Sequence, residues 1–209
     1  MELTSTSFAE GATIPGEFAF CLPDAETHAV LASNRNPHLA WTGTPVGTKS
    51  LALSCHDPDV PTKPDDVNQE GREVPSDLPR ADFFHWLVAN LPAHITQIAA
   101  GAFADGVVAK GRQIAHGPHD SQQGLNDYTS WFAGDPDMEG EYFGYDGPCP
   151  PWNDSIIHHY VFTVYALDVA ILELPKAFRG TDLRQAITGH VLDQTSITGI
   201  YTMNQRLLG

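Results

Sequence analysis

Asp57 and Asp59 flank Pro58 in the run "CHDPDVPT" (55–62), while His85, His158 and Tyr160 stand near the starts of two apolar stretches further along. A carboxylate beside an imidazole can orient it, and imidazole and phenol can donate hydrogen bonds to an oxyanion. Together these groups suit a pocket for an oxyanion. With the thiol of Cys55 or Cys149 they also have the composition of a nucleophile, base and orienter. Asp57 and Asp59 have a plainer alternative, an Asx-type turn braced by Pro58, in which their oxygens accept backbone N–H groups.

For any of this the residues must converge, which falls to the strands. "KSLALSC" (49–55) and "HHYVFTVYALD" (158–168) read as β-strands from their β-branched and apolar content, and "FFHWLVANL" (83–91) as a third. "GEFAFCL" (16–22) and the segment ending in "HLAW" (38–41) are weaker strand candidates. Alternation places Leu51, Leu53, Cys55 and Asp57 on one face, His85 with Leu87 and Ala89, and His158 with Tyr160, Phe162 and Val164. Each apolar row thus carries a polar residue at one end, where the first strand is expected to give out into a rigid turn over 57–61. Aligned strand ends of this kind form an apolar-floored pocket rimmed by Asp57, His85, His158 and Tyr160. One helix is expected within "GTDLRQAITGHVLDQ" (180–194), capped by Thr181, with Leu183, Ile187 and Val191 on one side.

The bulk composition sets limits. The 209 residues, 42% hydrophobic, suit one domain with a core of its own, and no second domain boundary is visible. A formal net charge of -15 repels nucleic acid and anionic membrane surfaces. The N-terminal stretch has no Lys or Arg before Arg35, and the longest apolar run, "VFTVYAL" (161–167), is too short to cross a bilayer. Three cysteines, Cys21, Cys55 and Cys149, make an odd number without CxxC spacing, so reduced thiols in a cytoplasm are expected. Two weakly periodic stretches, about 62–84 and 111–154, are loops long enough to have a function.

"DPDVP" (57–61), "HW" (85–86) with "NLP" (90–92), and "GPCPP" (147–151) followed by "HHYVFTVYALD" occur in an order that resembles the phosphatidylethanolamine-binding proteins, or Raf kinase inhibitor-like proteins, and most closely their bacterial branch. "NPHLAWTGTPVGTKSLAL" (36–53) and "GHVLDQTSITGIY" (189–201) support the match over most of the chain. The resemblance implies a mostly β fold, a β-sandwich of two antiparallel sheets with a few peripheral helices and a small anion-accepting pocket. Carried over by motif, its ligand-binding residues are Asp57, His85, Gly147, Cys149, Pro150, His158 and Tyr160, with Asp59, Pro61 and Trp86 behind them or in the turn. It also implies a cis Val60–Pro61 bond and a homodimer. The usual basic residue between the His and Tyr is His159 here, and the 62–84 insertion, a candidate lid or partner surface, keeps any kinase-regulator role from being carried over.

The expected protein is therefore a small-ligand binder for phosphate or a phospholipid headgroup, without cofactor, metal, nucleic acid or stable membrane insertion, which can act as a regulator or inhibitor of a partner protein. The rival readings are a hydrolase using a pocket Cys/His pair, a metal site at His116, His119 and Asp120, and an interaction module whose pocket is vestigial.

Overall fold

The computed structural model describes residues 1–208. In chain order its strands are β1 (Glu2–Thr4), β2 (Cys21–Asp24), β3 (His28–Leu31), β4 (Leu39–Thr42), β5 (Ser50–Pro61), β6 (Arg80–Pro92), β7 (Gln97–Ile98), β8 (Gln122–Gln123), β9 (His158–Leu167) and β10 (Val191–Tyr201). The helices are α1 (Tyr128–Trp131) and α2 (Gly180–Ile187). A five-stranded sheet has the order β10-β9-β5-β6-β8, a three-stranded sheet the order β1-β4-β7, and β2 with β3 forms a separate hairpin. All these pairings are antiparallel, as expected.

The alternation of β5 decides the layering. Leu51, Leu53 and Cys55 point into the core between the two sheets, where they meet Trp86, Val88, Phe162 and Val164 from the neighbouring strands and Leu39 and Trp41 from β4. Ala52 points the other way, into a second apolar layer with Leu87, Ala89 and Phe178, and there α2 packs through Leu183 and Ile187. Asp182 accepts the Arg179 N–H at 2.8 Å, so the helix is capped one turn from its own acid and not by Thr181.

Four expectations need correction. The helix stops at Ile187, because Gly189 takes a left-handed turn (φ 83°) and the β-branched residues that follow pair with β9 as the edge strand β10. β5 does not end at Cys55; it continues to Pro61 against Arg80–Phe83, with an irregular register between Asp57 and Val60. The Val60–Pro61 peptide is trans, there being no cis bond among the described residues. Cys21 and Cys149 form a disulfide, with Cα atoms 5.0 Å apart. The N–H groups of Phe20 and Cys21 both bond to the Pro148 carbonyl (2.9 and 3.2 Å), which brings the start of β2 against a turn 128 residues away. Cysteine spacing holds no trace of such a contact.

Since β6 starts at Arg80, the insertion is the connection 62–79, and it is tied down. Buried Asn153 donates to the carbonyls of Asp66, Gln69 and Arg72 (2.8, 3.3 and 3.2 Å) and accepts the Asn68 N–H at 2.9 Å. Val67 and Val74 are buried beneath it. An Asn153→Ala variant loses these bonds and leaves several carbonyls unanswered, a cost of about 1–3 kcal/mol. Trypsin should then cleave after Arg72 in the folded variant and leave the wild type intact there; equal resistance of the two would show that Asn153 does not hold the segment.

Candidate functional site

Asp57 prolongs the apolar row of β5 and is 1% exposed, so its carboxylate needs partners within the protein. It finds one in His158, the first residue of β9, whose Nδ1–H donates to Asp57 Oδ2 at 2.7 Å. The opposite nitrogen, Nε2, donates to Asp154 Oδ2 at 3.1 Å. Arg80 completes the row, its Nη1 and Nη2 donating to Asp154 Oδ2 and Oδ1 at 2.6 and 3.1 Å. Burial alone would lower the His158 pKa, yet the two carboxylates raise it from 6.5 to about 9. The row Asp57, His158, Asp154, Arg80 therefore alternates in charge. Asp57 Oδ1 also accepts the Asp59 N–H at 2.8 Å, so the Asx-type turn exists beside the site and steadies it. Asp59 itself faces outward, its Oδ2 accepting from His159 at 2.8 Å.

His85 reaches the same place by a different device. Cys55 is paired with Trp86 and His56 with Phe84, so β6 carries an extra residue there, a β-bulge. Leu87 and Ala89 belong to the α2 layer, whereas His85 sits with Phe83 and Trp86 on the side between the sheets, contrary to simple alternation. Its ring lies edge-on to Tyr128 and Tyr160 (centroids 5.5 and 5.1 Å). Because His85 Nδ1 is 2.8 Å from the Asp146 carbonyl oxygen, an acceptor, that nitrogen carries the proton, which leaves Nε2 as a bare lone pair. Burial, opposed by Asp57, lowers the His85 pKa to about 4, so the ring is neutral at pH 7.

These groups open on a cavity of about 260 Å³. Asp57, His85, Tyr160, Cys149 and Pro150 line it, joined by the turn residue Pro61, with walls from Phe83, Tyr128, Trp131 and Met138, and from Pro64 and Val67 of the 62–79 segment. His158 and Gly147 do not line it. His158 stands behind Asp57, fully buried. The Gly147 N–H is consumed by Asn34 Oδ1 at 2.8 Å, and its carbonyl accepts the Tyr128 hydroxyl at 2.8 Å. Glycine is required at 147 because a Cβ there would lie 2.1 Å from the Phe18 carbonyl oxygen. Trp86 is a core residue, set edge-on against Phe103 and Tyr145. In the turn 147–151 Pro148, Pro150 and Pro151 have no N–H, so Cys149 N–H is the one donor left uncommitted. The Tyr160 hydroxyl is buried without a partner, and burial together with Asp57 holds it protonated.

Several residues that build this site were not legible beforehand. Asp154 lies in a connection and Arg80 at the first position of β6, and only their proximity to His158 in space gives them a role. Asp146, buried, takes Asn34, Asn126 and Arg112 (2.7, 2.8 and 3.2 Å) on its carboxylate while its carbonyl fixes His85. The rival sets are not assembled. Cys149 is in the disulfide, and Cys55 is 1% exposed with burial and Asp57 pushing its thiol pKa up. His116 lies 3.6 Å from Asp120 on an exposed loop, and no group of three or more metal-ligating side chains occurs among the described residues.

The raised His158 pKa makes stability fall with pH. The folded chain holds a proton that the unfolded chain releases above about pH 6.5, so the contribution is complete below that pH and is lost as pH rises through about 9. Its size is about 3 kcal/mol. Urea unfolding at pH 6, 8 and 10 should show this loss in the wild type beyond that of a His158→Gln variant; parallel curves would count against the protonated bridge.

No helix of the described residues is long and apolar enough to cross a membrane. The family model for "Phosphatidylethanolamine-binding protein" matches residues 4–202. YbhB of Escherichia coli K12, a UPF0098 protein, is 29% identical over 97% of this chain and 100% of its own length. A UPF0098 protein of Methanothermobacter thermautotrophicus is 32% identical over 96% of this chain and 98% of its own. The crystal structure of E. coli YbcL, described as a new member of the mammalian PEBP family, superposes with a TM-score of 0.67 at 26% identity, covering 96% of this chain and 97% of that one. A phosphatidylethanolamine-binding protein homologue of Chlamydia trachomatis gives 0.62 at 29% identity, covering 96% and 95%. Fold, motif order and a match running from the first strand to the last agree, and the chain belongs to the phosphatidylethanolamine-binding protein family.

Proposed function

We propose that this protein binds a small phosphoryl or zwitterionic headgroup in the Asp57/His85/Tyr160 cavity and takes up a proton with it. The observation that carries this reading is the set of uncommitted polar atoms on otherwise apolar walls: Tyr160 Oη, Cys149 N–H and His85 Nε2. The first two donate. The third accepts while His85 is neutral, so a phosphate fits when His85 gains a proton or when the ligand brings its own P–OH. No Lys or Arg lines the cavity, which favours modest affinity and a ligand of low net charge. A headgroup ammonium has Asp57 as its acceptor.

Binding without catalysis is part of the proposal, supported by the absence of an exposed nucleophile beside His85: the thiol of Cys55 is buried and Cys149 is bonded to Cys21. A regulatory or inhibitory action on a partner would operate through the 62–79 segment, which both walls the cavity and faces solvent. We infer a homodimer, following the bacterial resemblance; a monomer mass by light scattering would remove that statement.

Titration calorimetry with phosphorylethanolamine and with inorganic phosphate tests the reading. Between a free His85 pKa of about 4 and its higher value beside a bound anion, binding takes up a proton, so affinity rises as pH falls from 8 to 5. Tyr160→Phe should weaken binding by roughly tenfold, the worth of one hydrogen bond of about 1 kcal/mol or slightly more. His85→Ala should reduce the pH dependence to that of the phosphate's own second protonation. Binding that is indifferent to pH and to both substitutions would refute the site.

A further inference from the structure

We propose that the Cys21–Cys149 disulfide is a thiol-exchange site built into the cavity wall, with Cys149 the sulfur that an incoming small thiol attacks. Both cysteines line the cavity. Cys21 is only 6% exposed, whereas Cys149 is half-buried, so attack from the cavity side meets Cys149 first. Cys55, the remaining thiol, lies within β5 beneath the site, between Trp86 and Phe162, and cannot serve as a resolving group.

The exchange is balanced without any further oxidant. A thiolate R–S⁻ bonds to Cys149 Sγ as the S–S bond breaks; Cys21 Sγ leaves as a thiolate and takes a proton from water. The product is R–S–S–Cys149 with a free Cys21 thiol. A second R–S⁻ attacking the sulfur of the R group releases R–S–S–R and leaves two protein thiols.

This exchange and ligand uptake act on the same atoms, and the inference rests in that respect on the cavity being a binding site. The residue attacked also supplies the one uncommitted N–H of the turn 147–151. Its neighbours Pro148, Pro150 and Pro151 stiffen the turn but contribute no N–H to anchor it. Besides the bond itself, the turn is held to the start of β2 through the Pro148 carbonyl and the N–H groups of Phe20 and Cys21. A substituent on Cys149 would fill the space a headgroup needs, and a bound headgroup would cover the sulfur. Thermodynamic linkage makes the two effects reciprocal.

The test treats the oxidised protein with glutathione and follows adducts by peptide mass spectrometry. Adduct should form on Cys149 at least about tenfold more than on Cys21, since the more accessible sulfur is attacked first. Saturating phosphorylethanolamine should slow it at least about fivefold, and the Cys149 adduct should bind phosphorylethanolamine at least about tenfold more weakly. Equal labelling of the two cysteines, or binding unaffected by the adduct, overturns the proposal. Whatever affinity a Cys21→Ser/Cys149→Ser double variant retains should not respond to glutathione; a remaining response would also overturn it. If the oxidised protein takes up no phosphorylethanolamine in calorimetry, the headgroup reading has failed, and the ratio of Cys149 to Cys21 labelling still decides the exchange site.

Discussion

A protonated imidazole held between two buried carboxylates is what allows an acid to stand at the floor of an apolar cavity. Asp57 without His158 would be a lone buried charge, a state that proteins avoid by neutralising or unfolding the group. His158 between Asp57 and Asp154, with Arg80 behind, turns a liability into an alternating row in which each charge faces its opposite. The row also has a mechanical consequence. It joins the first residue of β9, the far part of β5, the turn at 154 and the start of β6, which are the four pieces of backbone that frame the cavity's polar end.

The second constraint is local and lies in β6. One extra residue opposite Cys55 and His56 puts His85 and Trp86 on the same side of the sheet. Trp86 closes the core while His85, turned by the Asp146 carbonyl and enclosed by Tyr128 and Tyr160, faces the cavity. A regular strand would have sent His85 toward α2. The cavity's His85 and the bulge are thus one feature of the fold.

With its charges matched behind the cavity, the site presents a nearly neutral face of two donors and one acceptor, which sets it apart from the Arg- or Lys-lined clamps of high-affinity phosphate sites. The cavity's walls are aromatic rings on one side, the pinned 62–79 segment on another, and the disulfide-bonded turn on a third. Two of these walls are connections rather than strands, the usual place for variation among proteins of one fold.

The central strands and the position of Asp57 at the end of an apolar row were legible in the residues, because strand alternation is a short-range property that β5 and β9 obey over Leu51–Cys55 and Tyr160–Val164. Motif order carried the family. Long-range contacts were not legible: the pairing of Cys21 with Cys149, and the use of Asp154 and Arg80 to hold His158, depend on backbone segments that meet only after folding. Nor did periodicity separate α2 from β10, since Leu183, Ile187 and Val191 keep a helical spacing across a glycine turn, and the unpaired edge of β9 decided the outcome. By itself the sequence determined which side chains were available and which strands would carry most of them. Which of them touch the cavity and which stand behind it was settled by tertiary structure, because a bulge and a row of buried charges are answers to packing and desolvation that no single segment encodes.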